Sequence, residues 1–332
     1  MIAFVSNKEQ EKFPPWQGEG MEKKTSISNI YFAYICSLLL FGTNGVLASH
    51  IDLQSMQIVL LRTGIGSLCL VALFLAEGGR FQMRKYRKSY GFLTLSGSMM
   101  GCSWMLLYEA YRFVGVSIAS LCMYSSLALV MAASVLLFKE TLTRHKLMAF
   151  LVACLGTVLV NLSALTEHLS AHGIMLGMCA CATYAAMIVS AKLASGIPDL
   201  EKSAWQLLAA FLTTAVFTLL KGELVFQINV HELGWILALG LLNTGVGCYF
   251  YFSSIGGLPA QNVAICDNIE LLSAILSSSI FLGEHLTKPQ IIGAVLIVSG
   301  AILSVQRKRA SQRFIQTRRQ GKIVLAKVAE KS

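Results

Sequence analysis

The sequence predicts an all-α integral membrane protein of ten transmembrane helices, arranged as two inverted five-helix repeats with both termini in the cytoplasm. Three observations predict this fold class. They are an apolar composition, an uneven distribution of basic residues between alternate loops, and a short motif that recurs at an interval of 144 residues.

The composition is that of a membrane protein. Hydrophobic residues make up 55% of the 332 residues and charged residues only 13%, whereas an ordinary soluble domain has roughly 25% charged residues. A helix needs about 20 apolar residues to span a bilayer. The predicted spans are 29–48, 55–76, 90–111, 115–138, 145–161, 170–194, 203–220, 232–253, 260–282 and 288–306. This divides the chain into a cytoplasmic tail (1–28), two repeats (29–161 and 170–306) and a basic cytoplasmic tail (307–332).

The basic residues set the orientation. With the N-terminus inside, 23 of the 27 Lys and Arg residues fall in the cytoplasmic loops and tails, and nine of them follow Gln306. Only Arg112, Lys221 and Lys288 fall outside, and Arg62 lies within a span. This asymmetry is the one expected from the positive-inside rule. The net charge of +10 is therefore a topology signal, and we predict no nucleic-acid partner.

The cysteines predict neither disulfides nor a metal site. All nine lie within apolar stretches rather than loops, which excludes a secreted disulfide framework. Cys179 and Cys181 point to different helix faces, and no His, Asp or Glu lies near them in sequence. We predict no metal and no cofactor.

The two halves carry a repeated motif. The segment FKETLTRHKLMAFLVACLG (138–156) aligns without gaps on LGEHLTKPQIIGAVLIVSG (282–300), and both copies lie between the fourth and fifth span of a half. Because five is odd, the second half must enter the membrane upside down. Inverted repeats of this kind are typical of secondary transporters, whose substrate site lies near the midplane between the halves.

Several motifs together resemble the drug/metabolite transporter superfamily, specifically its ten-helix EamA type. They are LFGTNG (40–45), LLRTGIGSLCL (60–70), FKETLT (138–143), LGEHLT (282–287) and Glu270. The resemblance covers roughly residues 29 to 306, and it implies transport of a small organic metabolite, usually as export. The chain departs from the family pattern at Phe41, Lys139 and Leu271, where the family usually has Trp, Gly and Pro.

Asp267 and Glu270 stand near the middle of the ninth predicted span, AICDNIELLSAIL (264–276). Charged groups within a span are costly and usually face the bundle interior or a substrate pathway. A spacing of three places both acids on one helix face, shared with Ala274 and Ser277, so we expect all four to face a cavity. Because two neighbouring acids repel each other, one is expected to hold a proton. The alternative is that Asp267 is hydrated in a vestibule open to the cytoplasm.

Arg62 is the only basic residue expected to be buried within a predicted span, away from its ends, at a depth that allows it to meet Glu270. We expect it to neutralise Glu270 or to bind a substrate carboxylate, while one of the acids takes up a proton or binds a substrate amine. The alternative is a structural ion pair that holds the halves together.

Other polar and aromatic residues at membrane depth are candidates for the pocket wall. Rings with a polar tip suit an amphipathic organic substrate, although interhelical packing explains any one of them equally well. The candidates are Asn44, Trp104, Tyr108, Tyr124, Tyr184, Asn243 and Tyr249.

Glu140 with Thr143, and Glu284 with Thr287, are predicted to be structural. Each pair lies in a short turn where the Thr can cap the following helix and the acid is favoured by the helix dipole. Gly97 and Gly101 form a small-residue face that permits close helix packing.

The predicted function is secondary active transport, as an exporter, of a small organic metabolite such as an amino acid or amine, by alternating access between the repeats. The absence of HExxH, P-loop and nucleophile–base motifs predicts that the chain is not an enzyme. The alternatives are an uptake carrier for a cationic metabolite and a non-transporting scaffold or sensor. The predicted partners are a small-molecule substrate, a proton and the lipid bilayer, with a homodimer as a further alternative. The predicted location is the cytoplasmic membrane of a bacterium.

Overall fold

The computed structural model describes residues 27–162, 170–222, 228–283 and 285–304. Within those ranges the chain is helical and contains no β-strand. The helices are α1 Ile27–Gly42, α2 Asn44–Ala48, α3 Ser55–Ala76, α4 Arg87–Tyr124, α5 Ser126–Leu136, α6 Arg144–Val160, α7 Ala171–Leu193, α8 Asp199–Lys221, a 3-10 turn Val230–Glu232, α9 Leu233–Ala238, a π-helical segment Leu239–Val246, α10 Gly247–Ile255, α11 Ala260–Cys266, α12 Asn268–Phe281 and α13 Lys288–Ser304.

Seven helical runs of the described chain are long and apolar enough to cross a membrane. They are Ile27–Ala48, Ser55–Ala76, Ile118–Leu136, Ala171–Leu193, Asp199–Lys221, Val230–Ile255 and Ala260–Phe281. The count of ten predicted from the sequence is higher because it includes α6, α13 and the first part of α4. Large apolar side chains point outward, and Leu220 and Ile280 are 80% and 74% exposed. An apolar outer surface of this extent suits contact with lipid.

Gly115 separates two predicted spans inside the continuous helical run of α4. Its φ of 72° and ψ of 167° are not helical, and such a positive φ is readily adopted only by glycine. The chain therefore changes direction at this residue without an intervening loop, close to the predicted boundary between 111 and 115.

The π-helical segment Leu239–Val246 lies against α3 at very short range. A Cβ atom on Gly66 would lie 3.0 Å from the carbonyl oxygen of Gly240. π-Helical turns are rare and are often found at functional sites. Asn243 lies in this segment, and the contacts of its side chain are described below.

The packing of the two halves follows the sequence repeat. Helix α3 packs on α8, α1 packs on α10, and α4 packs on α7. A shift of 144 residues moves α1 onto α7, and it moves the middle of α4 onto α10. The α1–α10 contact and the α4–α7 contact are thus equivalent. This is expected if a single symmetry operation exchanges the two halves.

The equivalent helices α6 and α13 run antiparallel to each other. A Cβ atom on Gly156 would lie 2.6 Å from the carbonyl oxygen of Gly293, and one on Gly300 would lie 2.7 Å from that of Ala149. These two contacts exchange under the 144-residue shift. The two copies of the helix therefore meet with opposite directions, and their glycines allow the backbones to touch.

Gly97 makes the tightest of the described glycine contacts between α4 and α8. A Cβ atom on this residue would lie 2.1 Å from the carbonyl oxygen of Gln206, and one on Gly101 would lie 2.9 Å from that of Ala210. Gly91, also in α4, has no atom within 4 Å of its Cβ position. The small-residue face predicted from Gly97 and Gly101 thus lies at a helix–helix contact.

We expect Gly97→Ala to destabilise the protein by about 1–3 kcal/mol, the usual cost of forcing atoms into a packed contact. Gly91→Ala is the matched control in the same helix. It should be neutral or slightly stabilising, because alanine is favoured over glycine in a helix by about 1 kcal/mol. Thermal unfolding of the purified variants in detergent measures both, and equal midpoints for the two would contradict the packing described here.

Candidate functional site

A cavity of about 700 Å³ lies in the helix bundle between the two repeats. This volume lies within the range of small-molecule sites, which is about 300–1,000 Å³. Its walls come from α1, α2, α3, α4 and α6 of the first repeat and from α7, the π-helical segment, α10, α12 and α13 of the second. The residues predicted from the sequence that line it are Asn44, Arg62, Trp104, Tyr108, Tyr124, Tyr184, Asn243, Glu270 and Ala274.

The cavity reaches the surface at one end of the bundle, which we call the Ala48 end. Gly45, Ser55 and His285 line it there, and all three are exposed. The opposite end, which we call the Glu140 end, contributes no lining residue from the described chain. The site is therefore accessible from one side only in this conformation.

Arg62 lies on the wall formed by α3. Its side chain is buried, and its guanidinium carbon lies 4.1 Å from the ring centroid of Trp104 on α4. A cation over an indole face is attracted by the ring quadrupole. Its buried Nε atom has no hydrogen-bond partner among the described residues.

Glu270 lies on the wall formed by α12 and lines the same cavity. In the described chain the ion pairs within 4.0 Å join Glu109 to Arg112 and to Lys221, and none joins Arg62 to Glu270. The direct pair, one of the two roles expected for Arg62, is thus not formed within 4.0 Å in this conformation. The site consequently presents a cation and an acid on different walls.

One face of α4 supplies three aromatic residues to the cavity wall. Trp104, Tyr108 and Tyr111 line the cavity at spacings of four and three residues, which place side chains on one face of a helix. The rings of Tyr108 and Tyr111 are 5.2 Å apart and T-shaped. Tyr111 was not among the predicted residues, although its spacing from Trp104 and Tyr108 could have identified it. Tyr249, which was predicted, does not line the cavity.

Asn243, in the π-helical segment, holds the end of α1. Its Nδ2 atom donates to the carbonyl oxygen of Leu40 at 2.8 Å, to Oγ1 of Thr43 at 2.8 Å and to Oδ1 of Asn44 at 3.0 Å. Two of the predicted polar residues, Asn44 and Asn243, therefore bind each other across the two repeats.

Asp267 does not line the cavity, contrary to the expectation that it shares an inward face with Glu270. Its side chain is 1% exposed and accepts hydrogen bonds from the hydroxyl groups of Tyr34 and, at 3.3 Å, Tyr251. Residues three apart differ by about 60° around a helix, and this rotation turns Asp267 toward α1 and α10. Its burial also excludes, for this conformation, the alternative of a hydrated vestibule.

Ser277 is likewise not part of the cavity wall. It is buried against neighbouring helices, whereas Ser278, one residue later, lines the cavity. The helix is irregular at Asp267, which separates α11 from α12, and the amide of Glu270 donates to the carbonyl of Asp267 at 3.0 Å. This three-residue step alters the face that α12 presents.

Glu140 contacts the opposite repeat rather than its own turn. Its carboxylate accepts from the backbone amides of Ala260 at 2.7 Å and Gln261 at 3.2 Å, at the start of α11. Thr143 Oγ1 accepts from the amide of Lys146 at 3.4 Å. Sequence reasoning had placed Glu140 in a local structural turn, and only the tertiary contact shows that it joins the two halves.

The second copy of this turn is only partly described. The amide of Thr287 donates to Oε1 of Gln290 at 2.9 Å. Glu284 lies outside the described residues.

Lys192 binds the end of α10, next to the connection between α10 and α11 where Glu140 binds. Its Nζ atom donates to the carbonyl oxygens of Ile255, at 3.0 Å, and Leu258. A cation therefore meets the C-terminal end of α10 while the Glu140 anion meets the N-terminal end of α11, as the helix dipoles favour. These contacts close the Glu140 end of the bundle.

Among the residues of the described ranges, no group of three or more His, Cys, Asp or Glu side chains is placed to hold a metal ion. The nine cysteines are free thiols.

Comparison with known proteins agrees with this architecture. A curated protein of Bacillus subtilis, described as "Uncharacterized transporter YxxF", is 24% identical over 83% of this chain and 89% of its own length. A protein of Salmonella typhimurium described as "Probable amino-acid metabolite efflux pump" is 26% identical over 60% of this chain and 71% of its own length. One solved crystal structure superposes with a TM-score of 0.74 at 17% identity, over 86% of this chain and all of the other.

The profile of the EamA-like transporter family matches the chain twice, over residues 28–162 and 171–306. The two matches cover most of the sequence and correspond to the two halves whose helices exchange under the 144-residue shift. The resemblance read from the short motifs is thereby confirmed. The chain is a membrane transporter, not an enzyme, and it belongs to the EamA-like transporter family of the drug/metabolite transporter superfamily.

Proposed function

We propose that this transporter exports a small zwitterionic metabolite, such as an amino acid, by alternating access between two inverted five-helix repeats in a bacterial cytoplasmic membrane. The observation that carries the proposal is the cavity between the repeats, which has Arg62 on one wall and Glu270 on another. An arginine suits a substrate carboxylate and a carboxylate suits a substrate ammonium group.

The aromatic wall supports an organic substrate. Trp104, Tyr111 and Tyr124 supply apolar surface with a few polar atoms, which is the usual character of a small-molecule site. A relative from Salmonella typhimurium carries an amino-acid metabolite in its description. The alternative of a cationic substrate leaves Arg62 unexplained, because a second cation in the cavity would be repelled.

The two ends of the bundle support alternating access. The cavity is open at the Ala48 end, whereas the Glu140 end is held closed by the contact of Glu140 with the opposite repeat and by the contact of Lys192 within the second repeat. Antiparallel packing of the equivalent helices α6 and α13 supports an inverted second repeat. In such a molecule the same contacts can form at either end in turn.

We further propose that the Glu140 end faces the cytoplasm and that ten spans place both termini there. The basic loops 80–88 and 139–146 lie at this end, since Ser89 contacts Ser195, Lys192 contacts Leu258 and Glu140 contacts Ala260. This placement follows the positive-inside rule. The conformation described here is then the outward-open one.

The proposed substrate class is tested by separating the two charged contacts. Arg62→Gln should weaken binding of amino acids roughly tenfold or more, because a hydrogen bond to a charged group contributes about 1.5–3 kcal/mol. The same variant should bind the corresponding amino-acid amides as the unmodified protein does. Glu270→Gln should show the opposite pattern, losing affinity for amino acids but not for the matching N-acyl acids.

Thermal shift and proteoliposome flux with a panel of amino acids, their amides and their N-acyl derivatives provide the measurement. Arg84→Gln and Glu77→Gln remove exposed charges outside the cavity and serve as matched controls. If no member of the panel binds or is transported, the proposed substrate class is wrong. Unaltered transport in Glu270→Gln would remove this residue from the site.

The closed end yields a second prediction. Glu140→Gln should weaken the link to α11, because loss of a helix-terminal acceptor costs about 0.5–2 kcal/mol. Backbone hydrogen exchange at Ala260 and Gln261 should then become several-fold faster, as measured by mass spectrometry on the purified protein. Exchange elsewhere, and at these two amides in Glu77→Gln, should not change. Unchanged protection in Glu140→Gln would show that other contacts hold this end.

A further inference from the structure

Asp267 is a buried ionisable group that the substrate cavity does not use. It lies one helical turn from Glu270, but its side chain is 1% exposed and is absent from the cavity wall. No ion pair within 4.0 Å reaches it in the ranges described. An unpaired carboxylate costs free energy in such surroundings. The groups around Asp267 therefore determine whether it is ionised or protonated.

Tyrosine hydroxyl groups surround this carboxyl. Tyr34 from α1 donates to Oδ1, and Tyr251 from α10 donates to Oδ2. The rings of these two tyrosines are stacked, with centroids 5.6 Å apart. A tyrosine hydroxyl is both a donor and an acceptor. Both tyrosines can therefore donate to the carboxylate, and either can accept from the carboxylic acid after protonation.

The ionisable groups that face Asp267 come from each helix packed against it. In the described chain none of them is a cation, and Arg62 lies over the ring of Trp104. They are Tyr34 on α1, Tyr124 on α4, Tyr184 on α7, Tyr251 on α10, and Cys266 and Glu270 on the same helical run.

A chain of hydroxyl groups connects Asp267 to the cavity. Tyr184 and Tyr251 both line the cavity, and their hydroxyl oxygens are 3.5 Å apart. The Tyr251 hydroxyl is in turn 3.3 Å from Oδ2 of Asp267. A proton from cavity water can thus pass to the Tyr184 oxygen while the proton of Tyr184 passes to Tyr251 and that of Tyr251 passes to Asp267. Each hydroxyl ends with one proton, and the carboxylate becomes a carboxylic acid.

The tyrosines around Asp267 also join the two repeats. Tyr34 belongs to the first repeat, whereas Tyr184, Tyr251 and Asp267 belong to the second. A movement that separates the two repeats at α1 would break the Tyr34–Asp267 contact. The number of donors offered to the carboxyl then depends on conformation, and the protonation state must depend on it as well, since binding linkage is reciprocal.

We propose that Asp267 is the proton-binding site that couples this transporter to a pH gradient, separate from Glu270 in the substrate cavity. The proposal rests on the transport function proposed above and assigns its coupling site. Glu270 contacts the substrate, and Asp267 carries the proton through Tyr184 and Tyr251.

The direct test requires no substrate. Purified protein in detergent is subjected to a pH jump, and proton uptake is measured with a pH-sensitive dye while infrared difference spectra record the carboxylic C=O stretch. Asp267→Asn should take up one proton fewer per molecule than the unmodified protein, and should lack one carboxylic band. Asp52→Asn, which alters an exposed acid, is the matched control and should show the full band pattern.

A second variant tests the path independently of Asp267→Asn. Tyr251→Phe leaves Tyr34 donating to Oδ1 but removes the hydroxyl that joins Asp267 to Tyr184 and to the cavity wall. We expect the same carboxylic band to appear at least tenfold more slowly after the pH jump. An unchanged rate would overturn the proposed path, and an unchanged band in folded Asp267→Asn would overturn the site.

Flux separates this proposal from the proposed function. In proteoliposomes Asp267→Asn should lose transport driven by a pH gradient but retain exchange of labelled for unlabelled amino acid. Gradient-driven transport that persists in this variant would refute the proton site while leaving the transport function standing. Loss of the band in Asp267→Asn, together with no amino-acid flux in the unmodified protein, would support the proton site and refute the proposed substrate.

Discussion

Polar groups on membrane-embedded helices must find their partners within the protein, because hydrocarbon offers them no hydrogen bonds. This constraint organises the bundle. Asn243 binds the end of α1, Ser96 donates to the Met187 carbonyl at 2.9 Å, and Ser103 donates to the Ala180 carbonyl at 3.0 Å. Each bond joins the first repeat to the second. The same requirement that satisfies the polar atoms therefore also places the two repeats face to face around the cavity.

The charged groups follow the same constraint in three different ways. Arg62 and Glu270 line the cavity from different helices. Lys192 and Glu140 bind backbone atoms at helix ends, where partial charges of the opposite sign are available. Asp267 accepts hydrogen bonds from tyrosine hydroxyls, and no cation lies within ion-pair distance of it in the described part of the chain. The groups proposed for substrate recognition, closure and proton binding thus contact chemically different partners, and mutation can therefore separate them.

Close backbone contacts lie between helices of the two repeats. Glycine at 97, 156 and 293 lets neighbouring helices approach until backbone atoms touch, and such surfaces have few side chains that interlock. The breaks at Gly115 and at Pro259 are related by the 144-residue shift, and each separates a long helical run from the next. The proposed alternation between two symmetry-related conformations requires helix breaks at equivalent positions of the two repeats.

The sequence by itself determined that the chain is a helical membrane protein, that it has two related halves and that Arg62 and Glu270 face a site. These features depend on composition, loop charge and the cost of a charge in a span, all of which are local. The tertiary structure decided that Arg62 lies on Trp104 instead of pairing with Glu270, that Asp267 turns away from the cavity, and that Glu140 binds the opposite repeat. These contacts join residues more than 40 positions apart, or depend on a local irregularity of the helix, so helical periodicity carries no information about them.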